Sequence, residues 1–177
     1  AEFMLPPDLE RLICAYPQSH IRMEVGNTRE LLSKLDAGEL DFAVVEGEFP
    51  REEYEFLLYR KEPYVPVASR KKAEQYRNAE FRELLSERLI LREPGSGTRE
   101  ILERELRRRG MTTDDFSQIT ELGNIGAIQA MLRANLVISF FYQATLTDRE
   151  TQLAPIELKD FSLEHEVMFI FRKNSSF

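Results

Sequence analysis

The stretch from Leu89 to Gly110 most constrains how this chain can fold. Leu89-Ile90-Leu91 is apolar, Arg92-Glu93-Pro94-Gly95-Ser96-Gly97-Thr98-Arg99 is glycine-rich, and a charged amphipathic run follows to Gly110. That order predicts a strand, a turn and a helix, with Ile101, Leu102 and Leu106 on the helix's buried side. Glycines let backbone N–H groups converge in such a turn, and the helix start adds partial positive charge. A turn of this kind can hold an anion.

The surrounding sequence repeats the same grammar. Pro7 and Asp8 suit the first turn of a helix carrying Leu9, Leu12 and Ile13, which Tyr16-Pro17 stops. Ile21-Arg22-Met23-Glu24-Val25 alternates with period two and predicts a half-buried strand. Asn27 followed three residues later by Glu30 is a capping-box pattern, and Leu31, Leu32 and Leu35 carry a helix towards Gly38. Leu40 to Val45 predicts a buried strand of the parallel-sheet kind. Strands are expected around Phe56–Tyr59 and again over Tyr64–Ala68, whose prolines suit an edge or crossing segment. Short charged helices follow Ser69, near Lys71–Tyr76 and Phe81–Leu85. Beyond Gly110 come a strand at Ile119–Leu122, a helix with Ile125, Ile128, Met131 and Leu132, and apolar strands at 136–141, 153–158 and 166–171. This alternation of helices and strands predicts an α/β fold.

Charge and composition narrow the function. The net charge is −7, which argues against the chain itself gripping nucleic acid, and Arg107-Arg108-Arg109 and Arg70-Lys71-Lys72 sit among acids as solvated faces. No apolar run approaches the roughly 20 residues of a membrane span. The single cysteine, Cys14, permits no internal disulfide, and a cytoplasmic setting with no membrane partner is expected. Beside an apolar helical stripe, Cys14 reads as a small core residue, and Met23, Met131, Met168, Phe169 and Phe171 read as core as well.

Three polar helix starts follow strands: Asn27-Thr28, Ser96–Arg99 and Gly123-Asn124. In open α/β sheets, ligands sit where the strand ends and helix N-termini point. The three together predict a cleft for a small anion, although each alone would serve as a plain cap.

The order of these motifs resembles the effector-binding domain of LysR-type transcriptional regulators. The resemblance rests on Leu5-Pro6, Tyr16-Pro17, Val25-Gly26-Asn27-Thr28 and Gly38-Glu39-Leu40-Asp41-Phe42-Ala43. It continues through Glu93–Arg99 and Glu121-Leu122-Gly123-Asn124, and so covers essentially the whole chain. It implies two Rossmann-like α/β subdomains with a central cleft, like type 2 periplasmic binding proteins. Residues 1–66 and 145–177 would form one subdomain and 67–144 the other, crossing near Val65–Ala68 and Tyr142–Thr145. Asn27, Thr28, Glu46 and Gly47 would line the cleft from the first, and Ser96, Gly97, Thr98 and Asn124 from the second. Glu46 and Glu48 would oppose a simple anion, or pair with a ligand amino group, Arg29 or Arg99.

The resemblance further implies a small-molecule effector, a carboxylate or other oxyanion, and a homodimer or homotetramer. The helix with Leu9, Leu12 and Ile13 is the expected contact face. The family's winged helix-turn-helix is not in this sequence, so DNA binding would belong to a parent protein. The family's first strand and its Ser/Thr-rich loop, which would precede Leu5, are not in it either. Two departures stand out: Asn135-Leu136-Val137 replaces the usual Gly-Leu-Gly, and Phe141-Tyr142 the usual Leu-Pro.

No nucleophile–base arrangement, metal-ligand spacing or nucleotide-binding glycine motif is present, so no catalytic residues, metal or cofactor are expected. His20 and His165 read as polar edge residues, and Asp41 as a capping or lobe-stabilising carboxylate. A transport solute-binding protein of the same fold is the competing reading, and an α/β enzyme a distant third.

Overall fold

The computed structural model describes residues 4–46, 48–146 and 152–173. Local rules hold well at the helix ends. Helix α1 covers Pro6–Ala15, with Pro at its start and Asp8 in its first turn. Helix α2, Thr28–Asp36, begins at the full Asn27–Glu30 capping box, and Gly38 follows it with φ +77°. Helices α3 (Arg70–Gln75), α4 (Gly97–Arg108) and α5 (Ile125–Arg133) complete the longer set, and Phe81–Ser86 is a 3₁₀ turn.

The strands are β1 (Ala43–Val45), β2 (Tyr54–Ser69), β3 (Arg88–Leu91), β4 (Gln118–Glu121), β5 (Ser139–Tyr142), β6 (Leu153–Pro155) and β7 (Glu164–Arg172). The two strands expected between Phe56 and Ala68 are one 16-residue strand, β2. Its first half pairs antiparallel with β7 from Tyr54↔Arg172 to Pro63↔Glu164. From Tyr64 it pairs with β5 instead, and Val67–Ser69 pair with β6. Pro63, which has no N–H to give a ladder, sits at the change of partner. The result is two α/β lobes joined through one continuous strand.

Several expectations are corrected here. β1 is buried as anticipated, but it pairs antiparallel with β7, Ala43↔Ile170 to Val45↔Met168, rather than in a parallel sheet. A short apolar run fixes burial but carries no information on strand direction. The only parallel ladder among the described residues joins β3 to β4, and a parallel bridge at Leu89↔Ile138 ties it to the run before β5. Ile21–Val25 is no strand, since no described neighbour offers it a ladder partner, and Met23 and Val25 are exposed. Met131 is also exposed, 40% of its surface being accessible, and Cys14 lies on the surface of α1. Helix α1 buries no residue at all.

Three apolar clusters hold the molecule. The largest packs Tyr64, Phe81, Leu89, Ile101, Leu102, Leu106 and Phe140 together with Val44 and Val167, and so bridges both lobes. A second gathers Val67, Ile90, Ile128, Leu132, Val137 and Phe141 under α5. The third seats α2 on β1 and β7 through Leu35, Ala43, Val45, Met168 and Ile170. Among the described residues, no helix is long and apolar enough to cross a membrane.

Candidate functional site

The starts of α2 and α4 face one another. Gly95, at φ +88°, lets the β3–α4 turn approach so closely that a Cβ there would sit 3.6 Å from Asn27 Oδ1. Beside this contact opens a cavity of 620 Å³. Asn27, Thr28 and Glu46 line it from one side, and Ser96, Gly97 and Thr98 from the other. Gly47 lies outside the described residues. Asn124 is not on the cavity wall: it is exposed, and its Oδ1 accepts from Ala127 N at 2.9 Å to cap α5. Its neighbour Ile125 does reach the cavity.

The two facing helix ends differ chemically. Asn27 Oδ1 accepts from Glu30 N at 2.9 Å, and Glu30 returns a bond to Asn27 N at 3.1 Å, so that end is largely self-satisfied. At α4, Ser96 makes no capping bond. Its hydroxyl lies 3.0 Å from Thr98 Oγ1, and both side chains are buried. Tyr64 OH donates to the Thr98 carbonyl at 2.7 Å and anchors that first turn against β2. Amide donors, a hydroxyl pair and the positive end of a 12-residue helix therefore meet at one wall of the cavity.

Polar residues outside the expected set also reach this wall. Arg92 lines the cavity, its guanidinium held by Glu93 through two 2.8 Å bonds. Burial works against the Glu93 charge, yet the Arg92 bonds prevail and leave its pKa below the ordinary carboxylate value. Arg92 stood at the head of the glycine-rich motif, which was signal enough to consider it. Tyr142 and Thr145 also line the cavity. They lie in the segment expected to cross between the lobes, and the pairing of β5 with β2 sets Tyr142 against Tyr64.

The acids expected to choose between Arg29, Arg99 and a ligand are distributed otherwise. Arg99 pairs with Glu103 and Glu121, each at 2.7 Å, and supports the turn by donating to the Arg92 carbonyl at 3.0 Å. Glu48 pairs with Arg104 of α4. Glu46 remains on the cavity wall. Asp41 lies on the cavity lining as well, exposed at the rim beyond Leu40. Among the described residues, no cluster of His, Cys, Asp or Glu is arranged to hold a metal.

Known proteins share both the sequence pattern and the architecture. The profile of the family described as "LysR substrate binding domain" matches residues 1–176. The transcriptional regulator CysL of Bacillus subtilis is 26% identical over 179 aligned positions, covering 96% of this chain and 56% of the relative. CbbR, a transcriptional regulator of Xanthobacter flavus, is 25% identical over 148 positions, covering 82% of this chain and 44% of its own length. The chain thus spans about half the length of the curated relatives it matches. Among solved structures, the regulatory domain of Synechocystis PCC6803 CcmR, in complex with 2-PG, superposes with TM-score 0.87 at 23% identity. The match covers 100% of this chain and 85% of that one. The BenM effector-binding domain with its effector benzoate gives TM-score 0.79 at 16% identity, covering 99% and 80%.

Proposed function

Because the chain belongs to the LysR substrate-binding domain family, we propose that it senses a small oxyanionic metabolite in the cavity between its lobes. Occupancy would be passed to a DNA-binding part of a parent regulator through the relative set of the lobes. The division of the chain at 66/67 and 144/145 is part of this reading, with β6 as the piece of the tail that pairs with the second lobe's half of β2. One observation carries the proposal: two helix N-termini from separate lobes converge on the same cavity, with room for no more than a methyl between Gly95 and Asn27. A ligand bridging both ends favours the arrangement in which they face, and only that difference in affinity can shift the equilibrium.

The ligand class follows from the wall. The α4 start, with Ser96 and Thr98, supplies donors for a carboxylate or phosphate oxygen, and Arg92 supplies charge. Calorimetry against a panel of small carboxylates, phosphate esters and amino acids tests this. Thr28→Ala and Thr98→Ala each weaken the best binder by about 10- to 100-fold, the worth of a hydrogen bond to a charged group. Thermal stability stays nearly unchanged in both. Unaltered affinity in the two variants would remove the assignment of the cavity.

A further inference from the structure

Arg104, His165 and Tyr142 form a chain of contacts that runs from the surface to the wall of the large cavity. Arg104 lies on α4, in one lobe. Its Nη1 pairs with Glu48, and its Nη2 stands 2.9 Å from His165 Nε2 on β7, in the other lobe. His165 Nδ1 lies 3.1 Å from Tyr142 OH and 3.0 Å from the Glu166 carbonyl. Tyr142 lines the cavity, and its hydroxyl donates to the Glu46 carbonyl at 3.5 Å, a long bond for an O–H donor.

The chemistry of these groups allows one proton arrangement. A guanidinium can only donate, so His165 Nε2 must accept and the ring proton of the neutral imidazole must sit on Nδ1. Nδ1–H then donates to the Glu166 carbonyl and to the Tyr142 oxygen. A phenol oxygen that is already accepting keeps its own proton for another partner. The partner it has, the Glu46 carbonyl, is held weakly enough to be replaced by a better acceptor in the cavity.

We infer that Arg104 and His165 are positioning residues which set the Tyr142 hydroxyl as a hydrogen-bond donor towards an oxyanion in the cavity. With Arg104 gone, the ring is free to take the Nε2–H tautomer. Nδ1 would then accept the phenol proton and withdraw it from the cavity. The relay also makes ligand reading depend on a contact between lobes, since the group that fixes the tautomer belongs to α4 and the ring to β7. Charges facing the ring come from several elements: Arg104 on α4, Glu62 opposite it on β2, and Glu164 and Glu166 on β7. Glu48, Arg51 and Lys61 share a second cavity of 380 Å³ with it.

The inference rests on the oxyanion reading of the large cavity, but the two can be tested apart. The chain has two histidines, so a His20→Gln background leaves a single ring to observe. Nitrogen-15 NMR of the neutral ring shows Nδ1 protonated and Nε2 bare. Arg104→Met raises the share of Nε2–H, and Arg104→Lys, which still donates, restores the original state. In titrations with inorganic phosphate, Tyr142→Phe and Arg104→Met each weaken binding about tenfold. The double variant binds no more weakly than Tyr142→Phe alone. Nε2–H in the parent ring, a tautomer indifferent to Arg104, or additive losses in the double variant would each overturn the inference. If phosphate binds none of these proteins, the reading of the cavity as a phosphate site falls. The dependence of the tautomer on Arg104 then decides for or against the relay.

Discussion

His165 shows how one side chain's surroundings set a property of the whole protein. Burial, then the Arg104 charge, holds its pKa below the ordinary 6.5, while the bond to the Glu166 carbonyl pulls the other way. The unfolded chain therefore takes up this proton at higher pH than the folded one. Its contribution to stability is present above pH 6.5 and is lost as pH falls from there through the folded-state pKa. Chemical denaturation between pH 7.5 and 5 shows a decline that His165→Gln flattens; identical slopes for the two proteins would contradict this. Cys14 teaches a different lesson. Its place beside Leu9, Leu12 and Ile13 read as core, yet α1 buries nothing and the thiol is exposed. An apolar stripe states that one face of a helix is apolar, not that this chain covers it. The same holds for Met23 and Met131. Cys14 accordingly reacts with an aromatic disulfide reagent in the folded single chain, without denaturant, at concentrations too low for self-association. A thiol that reacts there only on unfolding would contradict its exposure. The residues expected from local motifs, Asn27-Thr28 and Ser96–Thr98, lie on the cavity wall, where the motif itself does the placing. Tyr142 lies there for a reason no local motif carries: it pairs with Tyr64 across two strands far apart in sequence.

Elements were legible where their ends are chemically marked. The capping box of α2, the positive-φ glycines 38 and 110, and the Pro start of α1 all lie where the pattern placed them. Pairing was not legible, because period-two alternation defines two faces but not which strand lies alongside, or in what direction. That is why Ile21–Val25 read as a strand and β1 read as parallel. One element-scale feature needed the structure altogether: Lys72 Nζ pairs with Glu87 at 2.5 Å, both largely buried, and Tyr76 OH donates to the same carboxylate at 2.8 Å. Lys72→Met leaves that carboxylate uncompensated and costs about 3–5 kcal/mol, whereas the double change Lys72→Met with Glu87→Leu costs much less. Urea titration of the three proteins checks this; equal losses in single and double variants would show that the pair carries no desolvation burden. Gly95 provides a contrast with Gly110. Both have positive φ, but only Gly95 faces a neighbour across the lobes, whereas nothing lies within 4 Å of a Cβ at Gly110. Alanine at Gly110 costs about 1 kcal/mol of stability alone. Alanine at Gly95 carries the same backbone strain, in a turn that lies on the cavity side of the molecule, while its methyl would only touch Asn27 at 3.6 Å.

For the whole molecule, the fold class was readable from the alternation of helices and strands, and the family from the order of its motifs. The merging of two expected strands into β2 was not, because Arg60–Pro63 looks like a polar break until β7 is laid beside it. The exposed stripe of α1, with Leu12 at 40%, Ile13 at 55% and the adjacent Tyr16 at 62%, is the face assigned to self-association of the proposed regulator. On this proposal, Ile13→Asp lowers the sedimenting mass of the chain at micromolar concentration. An unchanged mass would place the contact elsewhere. The central position of β7 also sets a timetable. Both β1, near residue 45, and the first half of β2 take their ladder from residues 164–172. During synthesis the first lobe must wait, with its sheet unzipped, until residues 164–172 have emerged. Its closure is a late, long-range event in folding rather than an early local one.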